Sequence, residues 1–82
     1  MTQSDKRKIE EKIKGYEYIQ NNLVGLISEL KKNIGEPLVN YFVGAGIIAY
    51  GINSNADKRY KVTEKGKRIS KIELISLRLN LL

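Results

Sequence analysis

The first 34 residues carry apolar side chains at helical spacing. The residues that recur every three or four positions are Ile9, Ile13, Tyr16, Ile19, Leu23, Ile27, Leu30 and Ile34. This spacing is typical of an amphipathic helix and predicts a long helical segment over residues 4–34. Glycines inside the segment and the polar run Gln20-Asn21-Asn22 are unfavourable in a helix interior. The pattern therefore leaves two interpretations open, one continuous helix or two helices at about 5–20 and 22–33.

The middle of the chain changes from helical to alternating spacing. Pro37 is favoured in the first turn of a helix, and the apolar residues that follow it predict a short helix over residues 36–44. Residues 47–52 are rich in β-forming side chains, and residues 59–63 alternate, which predicts that Tyr60 and Val62 point inward. The polar run 53–57 between them is typical of a turn. Residues 46–64 are therefore predicted to form a two-stranded β-hairpin.

The C-terminal residues fit two patterns. Residues 75–81 alternate as in a strand, but their Leu, Lys, Glu and Arg content favours a helix over residues 67–82. In that helix, one face carries Ile69, Ile72, Ile75, Leu79 and Leu82, and a second face carries Leu74, Leu77 and Leu81. A small domain covers one apolar face of a helix with its own core. We expect Leu74, Leu77 and Leu81 to meet the same helix of a second copy in a homodimer.

The composition argues against catalysis. Eighty-two residues suffice for one domain, 1–82, with a thin core. The chain has no His, so the commonest general base and the commonest metal ligand are missing, and it has no Cys, so disulfides and thiolate metal sites are excluded. We expect a protein that is not an enzyme and that uses no cofactor and no metal. The charged start and the short apolar stretch at 37–52 predict a soluble cytoplasmic protein without a membrane partner.

The net charge of +6 comes from one segment. Residues 58–71 (KRYKVTEKGKRISK) contain seven Lys or Arg and one Glu, whereas the rest of the chain contains eight basic and eight acidic side chains. A concentrated basic segment is the electrostatic footprint of a nucleic-acid-binding surface. A solvated, lysine-rich surface is the other interpretation of the same composition.

Two short runs carry a resemblance to a known class of proteins. Ala45-Gly46-Ile47-Ile48 and RYKVTEKGK at residues 59–67 resemble the strand entry and the hairpin end of MarR-like and PadR-like winged-helix transcription regulators. The resemblance implies an α+β, mostly helical winged helix with a two-stranded hairpin and a C-terminal helix, which binds double-stranded DNA. Together with the basic segment, it predicts that the DNA-binding residues are Asn40, Tyr41, Asn53, Asn55, Lys58, Arg59, Lys61, Lys65, Lys67 and Arg68.

A second function class fits the same pattern. A long helix packed on a small sheet is typical of a non-catalytic module that inhibits or adapts another protein, and such a module would have a protein partner. A break near Gln20–Asn22 favours the winged helix, because a helix-turn-helix needs separate helices. An unbroken helix to Lys32 favours the protein-binding module.

Overall fold

The described part of the chain folds into four helices and three short strands. The computed structural model describes residues 2–52 and 58–82. Its elements are α1 (Gln3–Asn21), β1 (Val24–Leu26), α2 (Ile27–Ile34), α3 (Glu36–Gly44), β2 (Ile48–Ile52), β3 (Lys58–Val62) and α4 (Glu64–Asn80). The mostly helical α+β class predicted from the sequence is confirmed. The predicted turn at 53–57, which includes Asn53 and Asn55, lies outside the described residues.

The polar run after Ile19 ends α1. The side-chain amides of Asn21 and Asn22 fold back and donate to the carbonyls of Glu17 and Tyr18, at 3.0 and 2.9 Å. These bonds compete with continuation of the backbone ladder, and Asn22 leaves the helical conformation with φ −137° and ψ 75°. The segment 4–34 is therefore two helices separated by a strand, and the single-helix interpretation is wrong.

The sheet contains one strand more than the predicted hairpin. All three strands are antiparallel, and β3 lies between β1 and β2. The two-stranded prediction missed β1 because a strand of three residues is too short to alternate visibly. Gly25 lies opposite Tyr60, and a Cβ at Gly25 would stand 3.0 Å from the tyrosine ring. The Tyr60 hydroxyl donates to the Asn22 carbonyl at 2.7 Å, which ties the end of α1 to the sheet.

The core lies between the helices and the inner face of the sheet. Tyr16 and Phe42 are fully buried, and their ring centroids are 4.9 Å apart. Tyr60 and Val62 are buried too, as the alternation of residues 59–63 predicts. Burial of apolar side chains of this size contributes about 1.5–3 kcal/mol each to the free energy of unfolding. Helices α1 and α3, which carry Tyr16 and Phe42, therefore share one core with β3.

Helix α4 begins at Glu64, three residues before the predicted start. Thr63 caps it, since its hydroxyl oxygen accepts from the Gly66 amide at 2.8 Å and its hydroxyl donates to the Gly46 carbonyl at 2.7 Å. A Cβ on Gly66 would clash with the carbonyl oxygen of Ile47. The glycine in the first turn of α4 therefore allows the helix to approach the chain that enters β2.

The two apolar faces of α4 are the reverse of the prediction. Leu74 and Leu77 are only 3% and 8% exposed and belong to the core, and Leu81 is half-buried. Leu74 and Leu77 are thus not on the exposed face that the predicted dimer contact requires, because helical spacing defines two faces without indicating which one packs inward. Gly66 and Ser70 lie on the buried side of the helix, where small residues permit close approach.

Helices α1 and α4 pack antiparallel. The Gln20 amide donates to the Ser70 hydroxyl at 3.4 Å, and Arg78 donates to Glu17 at 3.1 Å. Residues earlier in α1 thus lie beside residues later in α4. Within residues 2–52 and 58–82, no helix is both long enough and apolar enough to cross a bilayer.

Candidate nucleic-acid interface

Helix α3 presents a narrow, uncharged surface. Val39 and Phe42 hold its inner face in the core, and Asn40 is exposed on the opposite side. Gly44 ends the helix, and a Cβ there would meet open space. The charged residue of α3 is Glu36 in the first turn. The surface of α3 can donate and accept hydrogen bonds through Asn40, but it supplies no cation for a phosphate.

Tyr41 is exposed but inclines toward α1. Its side chain lines an open groove of about 610 Å³ between α1 and α3. The Lys12 ammonium lies 5.9 Å from the Tyr41 ring centroid, and 52% of Tyr41 is exposed. Burial, with the hydroxyl of Tyr41 nearby, raises the pKa of Tyr16. Of the two residues predicted on α3, Asn40 faces solvent, whereas Tyr41 is partly exposed and also lines the groove between α1 and α3.

Strand β3 displays the first three basic residues of the 58–71 segment. Lys58, Arg59 and Lys61 are all exposed. Tyr60 and Val62 point inward, so Arg59 and Lys61 project from the outer face of the sheet. Among the described residues, ion pairs join Lys67 to Glu64 and Arg78 to Glu17, and neither pair involves β3.

The neighbours of Arg59 and Lys61 on the sheet are uncharged. Lys61 is flanked by Val24 on β1 and Ala49 on β2, and Arg59 is flanked by Leu26 and Gly51. Small and apolar neighbours leave both cations accessible from the outer face. The Lys58 ammonium lies 5.9 Å from the centroid of the Tyr50 ring, on the inner side of the strand beyond the core.

The first turns of α4 continue the basic surface. Lys65 and Arg68 are exposed, and the Lys65 ammonium lies beside Gly46, 3.7 Å from the position of its missing Cβ. Lys67 donates to Glu64 at 3.0 Å. That hydrogen bond and the lysine's charge lower the pKa of Glu64. Lys67 is therefore partly neutralised, whereas Lys65 and Arg68 extend toward solvent.

One basic residue near this surface was absent from the predicted set. Lys71 lines a second groove of about 440 Å³ with Gln20, Leu23 and Lys67, where the end of α1 meets α4 and β3. Its position four residues after Lys67 places it one helical turn further along. Lys71 is the last residue of the basic segment 58–71, and its helical spacing from Lys67 is the signal that identifies it, whereas the predicted DNA-binding residues ended at Arg68.

Comparison with protein-family models, curated proteins and solved structures finds no match. The ligand of this surface is therefore inferred only from the charge and the hydrogen-bonding groups of its own residues. The structure places the cations of β3 and of the start of α4 next to one another in the chain, joined at Thr63. The neutral helix α3 is a separate polar surface.

Proposed function

We propose that the protein binds double-stranded DNA as a winged helix and serves transcription regulation. The observation that carries the proposal is the element order, α1-β1-α2-α3-β2-β3-α4 with β3 central in the sheet. Helices α2 and α3 follow each other across Gly35, whose φ of 89° suits glycine. A hairpin follows directly. In this arrangement α3 is the recognition helix and β2–β3 is the wing.

The break after α1 supports this proposal over the protein-binding module. That module was expected to contain one helix running to Lys32, whereas α1 ends at Asn21 and β1 intervenes before α2. A separate α2 is what a helix-turn-helix requires, because the first helix supports the second at a defined angle.

The division of labour between the surfaces follows from their charge. Phosphate contacts dominate affinity and require cations, so we assign them to Lys58, Arg59 and Lys61 on the wing, with Lys65 and Arg68 beside them. Base edges are recognised by hydrogen-bonding groups, and an asparagine amide can pair with the N6 and N7 atoms of adenine. Asn40 is the exposed residue of α3 with that chemistry.

A salt titration on duplex DNA tests the proposal. Each phosphate contact contributes about −0.9 to the slope of log affinity against log salt concentration. We expect Lys58→Ala/Arg59→Ala to flatten that slope by about one to two units. The control variant Arg7→Ala/Lys14→Ala removes the same charge from α1 and should leave the slope nearly unchanged.

Two results would contradict the proposal at different levels. Equal slopes for the wing variant and the parent protein would remove the wing from the interface. Absence of binding by the parent protein at low salt, where phosphate contacts are strongest, would refute DNA binding altogether.

A further inference from the structure

Helix α4 carries an apolar stripe on the side that faces away from the core. Ile72, Ile75 and Leu79 are 65%, 62% and 63% exposed, and Leu82, two residues beyond the last residue of α4, is fully exposed and follows at the same spacing. At 100° per residue, these positions lie opposite Leu74 and Leu77. Their spacing of three, four and three residues is the a/d spacing of a helix that packs against another helix.

We infer that this stripe binds the same stripe of a second copy, with the two α4 helices antiparallel. In the register that uses every stripe residue, Ile75 lies opposite the partner's Leu79, and Ile72 lies opposite the partner's Leu82. A two-fold axis near Leu77 relates the copies, so each contact occurs twice. The interface is distinct from the proposed DNA-binding residues and does not depend on them.

The exposed area of the stripe is sufficient for a specific pair. The exposed surface of the four large aliphatic residues in the stripe, summed over the two copies, is on the order of 1,000 Å². This area is near the lower bound for a specific interface. About half of that area lies on each copy, at the upper end of the roughly 300–600 Å² that the largest apolar patch on a typical monomer covers. The two identical rows cover each other without any further segment.

The charges along α4 select the antiparallel orientation. The exposed side of its first half carries Lys65, Arg68 and Lys71, and the stripe occupies its second half. Parallel pairing would bring the two basic clusters together. Antiparallel pairing places them at opposite ends, each near the C-terminal end of the partner's helix, where the helix dipole is negative.

One charged pair lies close to the two-fold axis. Arg78 donates to Glu17 of the same chain at 3.1 Å. In the antiparallel pair, the two copies of this ion pair meet on the same side of the interface. Their charges sum to zero, so the axis has no net like-charge repulsion.

The oligomeric state in the absence of DNA tests the inference. By light scattering coupled to gel filtration, the intact chain should have twice its mass of 9.3 kDa at micromolar concentration. The variant Ile75→Glu/Leu79→Glu should have the mass of one chain, while its circular dichroism remains helical because both residues are exposed. The control variant Gln3→Glu/Ser28→Glu adds the same charge elsewhere and should remain a dimer.

Disulfide cross-linking tests the orientation without background, because the chain has no cysteine. An oxidised mixture of the variants Ile75→Cys and Leu79→Cys should give mainly mixed disulfides between the two. Disulfides that form within each variant alone would overturn the antiparallel arrangement. A monomeric intact chain, or a dimer that survives Ile75→Glu/Leu79→Glu, would overturn the interface. None of these results bears on DNA binding, which the salt titration tests separately.

Discussion

Gly66 offers a sharp test of how α4 meets the sheet. Replacing it with alanine adds one methyl group in the first turn of a helix. Helix propensity alone predicts a gain of about 1 kcal/mol in the free energy of unfolding. The structure predicts the opposite, because the new Cβ would clash with the Ile47 carbonyl oxygen and stand 2.8 and 2.9 Å from the Ile47 carbonyl carbon and Cα.

The clash is with backbone, so no side chain can rotate to relieve it. Overpacking of this kind costs about 1–3 kcal/mol. Moving α4 away would also lengthen the bonds from the Thr63 hydroxyl to the carbonyls of Gly46 and Ile47, now 2.7 and 3.1 Å. Those bonds contribute about 1 kcal/mol each. After subtraction of the propensity gain, Gly66→Ala should lower the free energy of unfolding by about 2–4 kcal/mol.

Urea and thermal unfolding followed by circular dichroism measure this difference. For a domain of this size, the expected loss corresponds to a fall in Tm of roughly 8–30 °C. Gly44→Ala is the matched control, since a Cβ there meets nothing within 4 Å, and it should be neutral or slightly stabilising. If Gly66→Ala were as stable as the parent protein, the close approach of α4 to Ile47 would be refuted.

Two further perturbations probe the interface and the core. Asn40→Ala should reduce discrimination between DNA sequences by about 1–3 kcal/mol with little change in salt slope; a variant with unaltered sequence preference would remove Asn40 from base recognition. Burial raises the pKa of the Tyr60 hydroxyl, with a smaller contribution from Tyr18. The neutral hydroxyl therefore stabilises the fold at pH below its unfolded pKa of about 10, and this stabilisation is lost as pH rises through its folded pKa. The free energy of unfolding should therefore fall as pH rises above about 10, by less in Tyr60→Phe; an identical fall in both proteins would contradict this assignment.

The elements that are bounded by Pro or Gly, or that alternate clearly, were predictable from the sequence. The bounds of α3 follow from Pro37 and the glycines around it, and the inward positions of β3 follow from its alternation. Strand β1 was not predictable, because Leu23 and Ile27 keep a four-residue spacing across it. The hydrophobic pattern alone cannot distinguish that spacing from one turn of a helix.

The candidate site was predictable in composition but not in arrangement. The basic run identifies Lys58, Arg59 and Lys61 as exposed cations, and period-two alternation assigns Arg59 and Lys61 to the outer face of the sheet. Which side of α4 faces inward depends on contacts with α1 and the strand entry, which are distant in sequence. The small residues Gly66 and Ser70 were the available signal, and a pattern of large apolar residues overlooks them.

The antiparallel packing of α1 on α4 also governs when the chain can fold during its synthesis. Tyr16 and Ile19 belong to a core that is completed by Leu74 and Leu77, which are made much later than α1. Such contacts raise the contact order, because the contacting residues are far apart in sequence. They slow folding, because loop-closure entropy is lost before the contacts form. In a growing chain that does not yet include α4, the apolar face of α1 lacks its contacts with Leu74 and Leu77. We expect these 82 residues to complete their core only after α4 has left the ribosome.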